Sequence, residues 1–226
     1  MKATLLDHMG SDKDVADAAR VSFHKKAENY DNLANERLIL YLAKHGHWSP
    51  FAHCFAKFHI TAPVFVARQL VKHQVGFAWN EVSRRYVDED PAFYYPDKWR
   101  KRAENKKQGS GEEFKGTVYS RNSYGVYDQD YPDAIVRDAC SHAYELYRKF
   151  INAGVCPEQA RMILPQNMMT EWIWSGSLMA WARMCSLRLK EDTQEETRMI
   201  AQQVDEQIGP KFPASWAALV KLGGAI

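Results

Sequence analysis

With 226 residues, 46% of them apolar and 26% charged, the chain has the length and balance to bury a core within one domain. Its formal net charge is only +2, so no whole-molecule field favours a nucleic-acid or membrane surface, and any anion site must come from local clusters. The four cysteines, Cys54, Cys140, Cys156 and Cys185, form no C-x-x-C pair and no zinc spacing, which argues against a disulfide scaffold and for a reducing compartment.

The opening residues Met1 to Asp7 lack the apolar run of a secretory signal. No stretch approaches the ~20 apolar residues of a membrane helix, so the expectation is a soluble, cytoplasmic protein. An amphipathic helix is predicted over 33–45, with Leu33, Leu38, Ile39, Tyr41 and Leu42 as its apolar set and Gly46 as its stop. A turn follows at His45 to Pro50. The stretch 52–60 alternates as a strand does, with Cys54, Ala56, Phe58 and Ile60 on one side. A helix with Pro63 in its first turn is predicted to carry Arg68 to Gln74, which would put Arg68 with Lys72 and Gln69 with His73. A turn at Gly76 and a strand through Val82 and Val87 come next. In that strand Glu81, Ser83 and Arg85 would project from one side.

From 97 to 131 no period is sustained. This basic stretch, with Lys98, Arg100, Lys101, Arg102, Lys106 and Lys107, reads as a flexible insertion with a short helix near 112–120. Pro132 opens a long helix to Asn152, with Ile135, Cys140, Tyr144, Tyr147 and Phe150 inward and Gly154 past its end. Further helices are predicted from Pro157 to before Pro165, over 177–189, over 192–207 and over 213–222, with either a strand or an approach to the next helix at 170–174. Mixed helices and few strands in irregular order give an α+β domain.

The segment Arg68 to Tyr86 is the densest polar stretch of the chain. A carboxylate, a hydroxyl and a guanidinium in sequence suit a polar, anionic small molecule better than mere solubility. Arg161 and Arg188 sit in apolar stretches, where an unpaired guanidinium is costly. Two readings stand for them: ion pairs with Glu158 and Asp192, or ligand contacts. The histidines at 45, 47, 53, 59 and 73 lack acidic partners at metal-binding spacing, so no metal is expected, and His47 is a candidate cofactor contact. Trp172, Trp174 and Trp181, near several methionines, read as core before they read as a cofactor box.

Together these blocks resemble the flavin-dependent thymidylate synthases. Arg68-Gln69, Lys72-His73-Gln74 and Asn80-Glu81-x-Ser83-x-Arg85-Tyr86 resemble the family's signature of Arg-Gln, Arg-His-Arg and Asn-Glu-x-Ser-x-Arg-Tyr. Ala19 to Phe23 is similar to its first phosphate-contacting segment, and His45-Gly46-His47-x-Ser49-Pro50-Phe51-x-His53 to its histidine block. Arg161 with Leu164-Pro165, Leu187-Arg188 and Gln194-x-Glu196 match its downstream motifs.

The resemblance implies one domain over 1–226 with helices on a small, mainly antiparallel sheet. It also implies a homotetramer whose active sites lie between subunits. The implied reaction is methylation of dUMP to dTMP, with methylenetetrahydrofolate as carbon donor, FAD as hydride carrier and NADPH as reductant. Arg188 and Ser83 are the implied catalytic residues; Gln69, Glu81, Ser83, Arg85, Arg161 and Arg188 hold the nucleotide. Ser22, His47, Lys72, His73 and Asn80 fall on the flavin side, and Glu81 touches both.

Departures concentrate on the flavin and folate side. Lys72-His73-Gln74 replaces Arg-His-Arg, the loop to Asn80 is one residue longer, Ser177-Leu178-Met179 stands where Asn-x-Arg is common, and Arg183 takes a later Asn or His position. Alternative activities are another C5 modification, such as hydroxymethylation, or non-catalytic binding of a nucleotide or nucleic acid.

Overall fold

The computed structural model describes residues 1–87, 89–104, 109–121, 125 and 127–222. The chain divides into two compact units: Met1–Thr61, Gln69–Asn80 and Trp172 onward form the first, and Ala62–Arg68 with Glu81–Glu171 form the second.

The first unit begins with β1 (Lys2–Met9) and α1 (Asp12–Arg20), two elements with no counterpart among the expectations. A register shift between Leu5 and Asp7 breaks the period of β1, which hides the strand from a period-2 reading. Helix α2 (Asn32–Lys44) lies where predicted, and its N-cap Asp31 accepts from the Ala34 N–H at 2.6 Å. Strand β2 (Phe55–Pro63) buries Ala56, Phe58 and Ile60 on one side, as their alternation requires.

The next two elements differ from the sequence reading. Helix α3 (Val64–Leu70) ends before Lys72 and His73, and the His73 N–H turns back to the Leu70 carbonyl at 3.0 Å. Gly76, at φ +79°, then redirects the chain into β3 (Phe77–Glu81), which precedes the predicted strand rather than coinciding with it. At the predicted position the Ser83 carbonyl accepts from the Tyr86 and Val87 N–H groups, so the backbone turns. The shared faces expected for Arg68 with Lys72 and for Glu81, Ser83 and Arg85 therefore do not form.

In the second unit the stretch predicted to hold a short helix makes two antiparallel ladders instead: β4 (Arg100–Arg102) with β5 (Ser110–Glu113), and β6 (Val118–Arg121) with β7 (Tyr127–Asp130). Lys106 and Lys107 lie outside the described residues. Helix α4 (Pro132–Asn152) has the predicted bounds; it buries Cys140 and Tyr147, while Phe150 stays exposed. Helix α5 (Pro157–Ala160) runs into a 3-10 turn at Arg161–Ile163.

Strand β8 (Met169–Ser177) completes a four-stranded sheet of order β1-β2-β8-β3. Pairing of β1 with β2 is antiparallel. Backbone bonds from Leu178 to Cys54 and from Ser177 to Gly76 tie the end of β8 to the segments that lead into β2 and β3. Helix α6 (Leu178–Arg188) starts at Ser177, whose hydroxyl accepts from the Ala180 N–H at 3.2 Å, and it buries Leu178, Trp181, Ala182, Met184 and Cys185. Trp181 stacks obliquely on Phe58 at 4.8 Å and on Trp174 at 4.7 Å, while Trp79 lies flat on Trp172 at 4.4 Å. The tryptophans are core, as the blander reading of them held.

Helix α7 (Glu195–Ile208) covers the outer edge of β1. Gln203 accepts from the Ala3 N–H, and Gln207 accepts from the Leu5 N–H while donating to the Ala3 carbonyl, all at 2.8–2.9 Å. Helix α8 (Pro213–Trp216) continues as a π-turn to Lys221. Its first N–H groups are capped across the unit by the Asp12 carboxylate, at 2.8 and 2.9 Å.

Candidate active site

In the first unit three of the sequence-selected residues converge. Arg188 closes α6 and is half-buried. Its Nε–H donates to His73 Nε2 at 3.0 Å, and its Nη2 donates to the Gln69 carbonyl at 3.4 Å. Neither ion pair suggested by spacing exists among the described residues. Arg188 faces a neutral ring and a carbonyl, and Arg161 donates to the Glu158 carbonyl at 3.4 Å, not to its carboxylate.

Electrostatics follow from that arrangement. Burial first, and the Arg188 charge second, lower the His73 pKa from 6.5 to about 4. Burial also lowers the pKa of Arg188. Arginine cannot shed its proton at physiological pH, so a guanidinium charge is held partly out of water with an uncharged partner. A positive charge so placed is worth more to a developing anion than one in bulk solvent.

Helix α7 and the Gln194 that precedes it complete this centre, and of these residues Thr197 was not marked in the sequence. Thr197, fully buried, donates its hydroxyl to Gln69 Oε1 at 3.1 Å. The Gln69 amide nitrogen donates to Gln194 Oε1, and Gln194 Nε2 donates in turn to Glu196 Oε2 at 3.0 Å. Both ends of the Gln69 carboxamide are therefore engaged by α7. The Gln194-x-Glu196 motif was the one signal in the sequence that pointed here.

Elsewhere in this unit Ser22, His47, Lys72 and Asn80 are exposed. The His47 ring stacks on Tyr41 at 6.1 Å. Arg20, in the segment similar to a phosphate-contacting one, instead forks onto Asn35 Oδ1 at 3.0 and 3.1 Å and lies 3.5 Å above the Tyr30 ring.

A cavity of about 520 Å³ opens in the same unit. Trp48, Phe55, Val75 and Phe77 give it apolar walls, Ser175 and Ser177 give it hydroxyls, and Arg183 is its charged lining residue. A Cβ on Gly76 would come within 3.0 Å of Ala180 and Ser177, so the glycine keeps this wall close. Aromatic walls with one guanidinium fit a planar ring system carrying an anionic group, which is the chemistry of a flavin nucleotide. Of these residues only Ser177 and Arg183 were singled out in sequence, as departures from a pattern.

Within the second unit the residues expected at the nucleotide form two small groups. Thr170 donates to Glu81 Oε1 at 2.9 Å. Ser83 Oγ accepts from the Arg85 N–H at 3.3 Å and from its Nε at 3.2 Å, and the exposed guanidinium lies 5.0 Å from the Tyr86 ring. The basic strand β4 is matched by acidic β5: Arg100 is opposite Glu113, and Lys101 pairs with Glu112 at 3.6 Å.

The three buried thiols, Cys54, Cys140 and Cys185, offer little as nucleophiles, and the fourth, Cys156, is exposed at the start of α5. Burial pushes the Cys54 pKa up to about 11 and raises that of Cys185 as well, and Cys140 exchanges hydrogen bonds with Asn167. Among the described residues no cluster of histidine, cysteine or acidic side chains is disposed to hold a metal ion. No helix among them is long and apolar enough to cross a membrane.

The family described as thymidylate synthase complementing protein matches residues 4–214. A flavin-dependent thymidylate synthase of Thermus thermophilus is 36% identical over 214 residues, spanning 95% of this chain and 73% of that relative. One from Kosmotoga olearia is 32% identical over 220 residues, spanning 96% and 88%. Among solved structures, a UMP/dUMP methylase, PolB, from Streptomyces cacaoi bound with 5-Br dUMP is similar at a TM-score of 0.80 and 28% identity, covering 100% of this chain and 96% of that one. The chain belongs to the flavin-dependent thymidylate synthase family.

Proposed function

We propose that the protein catalyses reductive methylation of dUMP at C5 to give dTMP, with methylenetetrahydrofolate as carbon donor and FAD and NADPH supplying reducing equivalents. The observation that carries this reading is the Arg188 guanidinium, half-buried and held by His73 and Gln69 without a carboxylate partner in either hydrogen bond. Methylation at C5 requires that carbon to become nucleophilic. A guanidinium placed against the pyrimidine draws electron density toward the ring oxygens and stabilises the negative charge that develops there, with no thiolate attack.

Gln69, Glu81, Ser83, Arg85 and Arg161 are assigned to the nucleotide. A guanidinium fork suits the phosphate, and Ser83 orients Arg85 through its hydroxyl. Trp48, Phe77 and Arg183, with His47, Lys72 and Asn80, would hold the flavin. When bound, the flavin supplies the hydride that converts the transferred methylene to a methyl group. The protein orients the nucleotide, keeps the Arg188 charge unneutralised and shields the centre from water. A homotetramer, with residues of neighbouring subunits completing each site, accords with the wide exposure of Glu81, Arg85 and Arg161.

The test is to incubate the purified protein with dUMP, methylenetetrahydrofolate, NADPH and FAD and to weigh the nucleotide product. A methyl group adds about one CH₂ and a hydroxymethyl group one further oxygen. A protein that stays colourless after exposure to FAD, or returns dUMP unchanged, sinks the proposal. UMP belongs in the same assay, because the similar methylase of Streptomyces cacaoi is described as acting on UMP and dUMP.

A further inference from the structure

We propose that His73 is the positioning residue of Arg188: an uncharged acceptor that fixes which edge of the guanidinium meets the pyrimidine. The proposal rests on the reading of Arg188 given above and adds to it a division of labour within the same centre.

The tautomer follows from the partner. Arg188 Nε always carries its proton and donates at 3.0 Å, so His73 Nε2 must be the bare nitrogen and Nδ1 the protonated one. The imidazole is neutral in this arrangement, and its lowered pKa of about 4 keeps it so across the working range.

One edge of the guanidinium is thereby occupied. Nε–H and an N–H of Nη2 lie in the plane of the group along one edge, and here they meet His73 Nε2 and the Gln69 carbonyl. The remaining N–H groups include the end-on pair, one on each terminal nitrogen, which is suited to two adjacent acceptors on a heterocycle. Both holding acceptors come from one short turn, Gln69 to His73, closed by the His73 N–H on the Leu70 carbonyl. The turn is itself anchored, because the Gln69 carboxamide is clamped by Gln194 and by the fully buried Thr197.

The choice of an imidazole has a chemical consequence. A carboxylate in the same place would orient Arg188 equally well but would cancel much of its field. A neutral acceptor orients the group and leaves the charge intact for the oxygen that becomes negative in the transition state. On this account His73 acts on the nucleotide chemistry through Arg188, in addition to any contact it makes on the flavin side.

Two variants and one spectrum test the idea on the flavin-loaded protein. His73→Leu removes the acceptor, and His73→Gln restores one at similar reach. With dUMP and flavin saturating, the Leu variant should lose kcat on the order of 10- to 100-fold, the scale of a misplaced catalytic group. Its KM for dUMP should stay within about threefold. The Gln variant should regain most of the lost kcat.

The spectrum covers the case of a Leu variant that does not fold. In ¹⁵N-histidine NMR of the wild-type holoenzyme near neutral pH, His73 should report the Nδ1–H tautomer, and Arg188→Ala should release it to a mixture. The proposal is overturned if the Leu variant keeps its kcat while flavin affinity drops more than tenfold, if the Gln variant is as slow as the Leu variant, or if His73 carries its proton on Nε2. Failure of the underlying reading looks different: wild type makes no methylated nucleotide, or Arg188→Ala turns over normally. The tautomer still decides in that case whether His73 holds Arg188.

Discussion

Acidification should destabilise the folded protein through His73, by an amount that can be isolated. Its pKa is about 4 in the folded chain, against 6.5 for an ordinary imidazole, because burial and then the Arg188 charge disfavour the cation. Between those two values the unfolded chain takes up a proton that the folded chain refuses. Stability is therefore complete above the unfolded pKa and falls as the pH drops from 6.5 toward 4. One pKa unit corresponds to about 1.4 kcal/mol. The ring is only half-buried, so solvent screening removes roughly half of the nominal effect, leaving about 1.5 kcal/mol. For a chain of this length that is about 3–6 °C in Tm. Scanning calorimetry near pH 7 and pH 4.5, on wild type and on His73→Gln, measures it. Carboxylate titration is common to both proteins and cancels in the difference, so wild type should lose about 3–6 °C more than the variant. Parallel pH curves for the two proteins would show that the imidazole is not held neutral by its surroundings, and the account of the Arg188 centre would lose its electrostatic basis.

Other outcomes follow from the same geometry. Arg188→Ala should lower turnover by roughly 10²–10³-fold, the scale of a removed transition-state donor, with the fold retained in far-UV circular dichroism; global unfolding would instead mark it as structural. Thr197→Val keeps the buried volume and removes the donor to Gln69 Oε1, so it should cost about 1 kcal/mol by urea titration and also reduce kcat; an unchanged kcat would detach the α7 clamp from the chemistry. Arg183→Ala should weaken flavin binding on the order of tenfold, about the worth of one charge-assisted contact, as read by flavin fluorescence; unchanged binding would place the flavin outside the cavity that Arg183 lines.

The parts of the fold that were legible in sequence are those where local and global signals agree. Helices α2 and α4 each show an apolar period and a stop or start residue at the observed end, while α6, buried on most sides, lies where predicted without such a period. Strand β2 shows its alternation clearly, with Phe55 the apolar exception on its exposed side. Strand β1 was hidden because its bulge breaks that alternation. The β4–β5 ladder was hidden for another reason: β5 is exposed along its whole length, so it leaves no apolar period to read.

The largest misplacement lies between Leu70 and Arg85. The polar residues there continue an apparent helix and strand, yet Gly76 and the turn at Ser83 decide the path. For the site, residue types were readable and partnerships were not. Gln69 meets Gln194 across 125 positions and Arg188 meets His73 across 115, and neither spacing carries a local signature.

The glutamines that α7 lays along β1 bear on how copies of this chain can associate. An open strand edge invites a second chain to extend the sheet, and here Gln203 and Gln207 already occupy the Ala3 and Leu5 amides and the Ala3 carbonyl. Extension at that border would have to displace those side-chain bonds and lift a helix that is docked on the strand. Assembly of this chain is thus directed away from β-augmentation at the β1 border of the sheet. Replacing both glutamines by alanine would open the border to cross-β contacts, a route to aggregation that the native sequence closes.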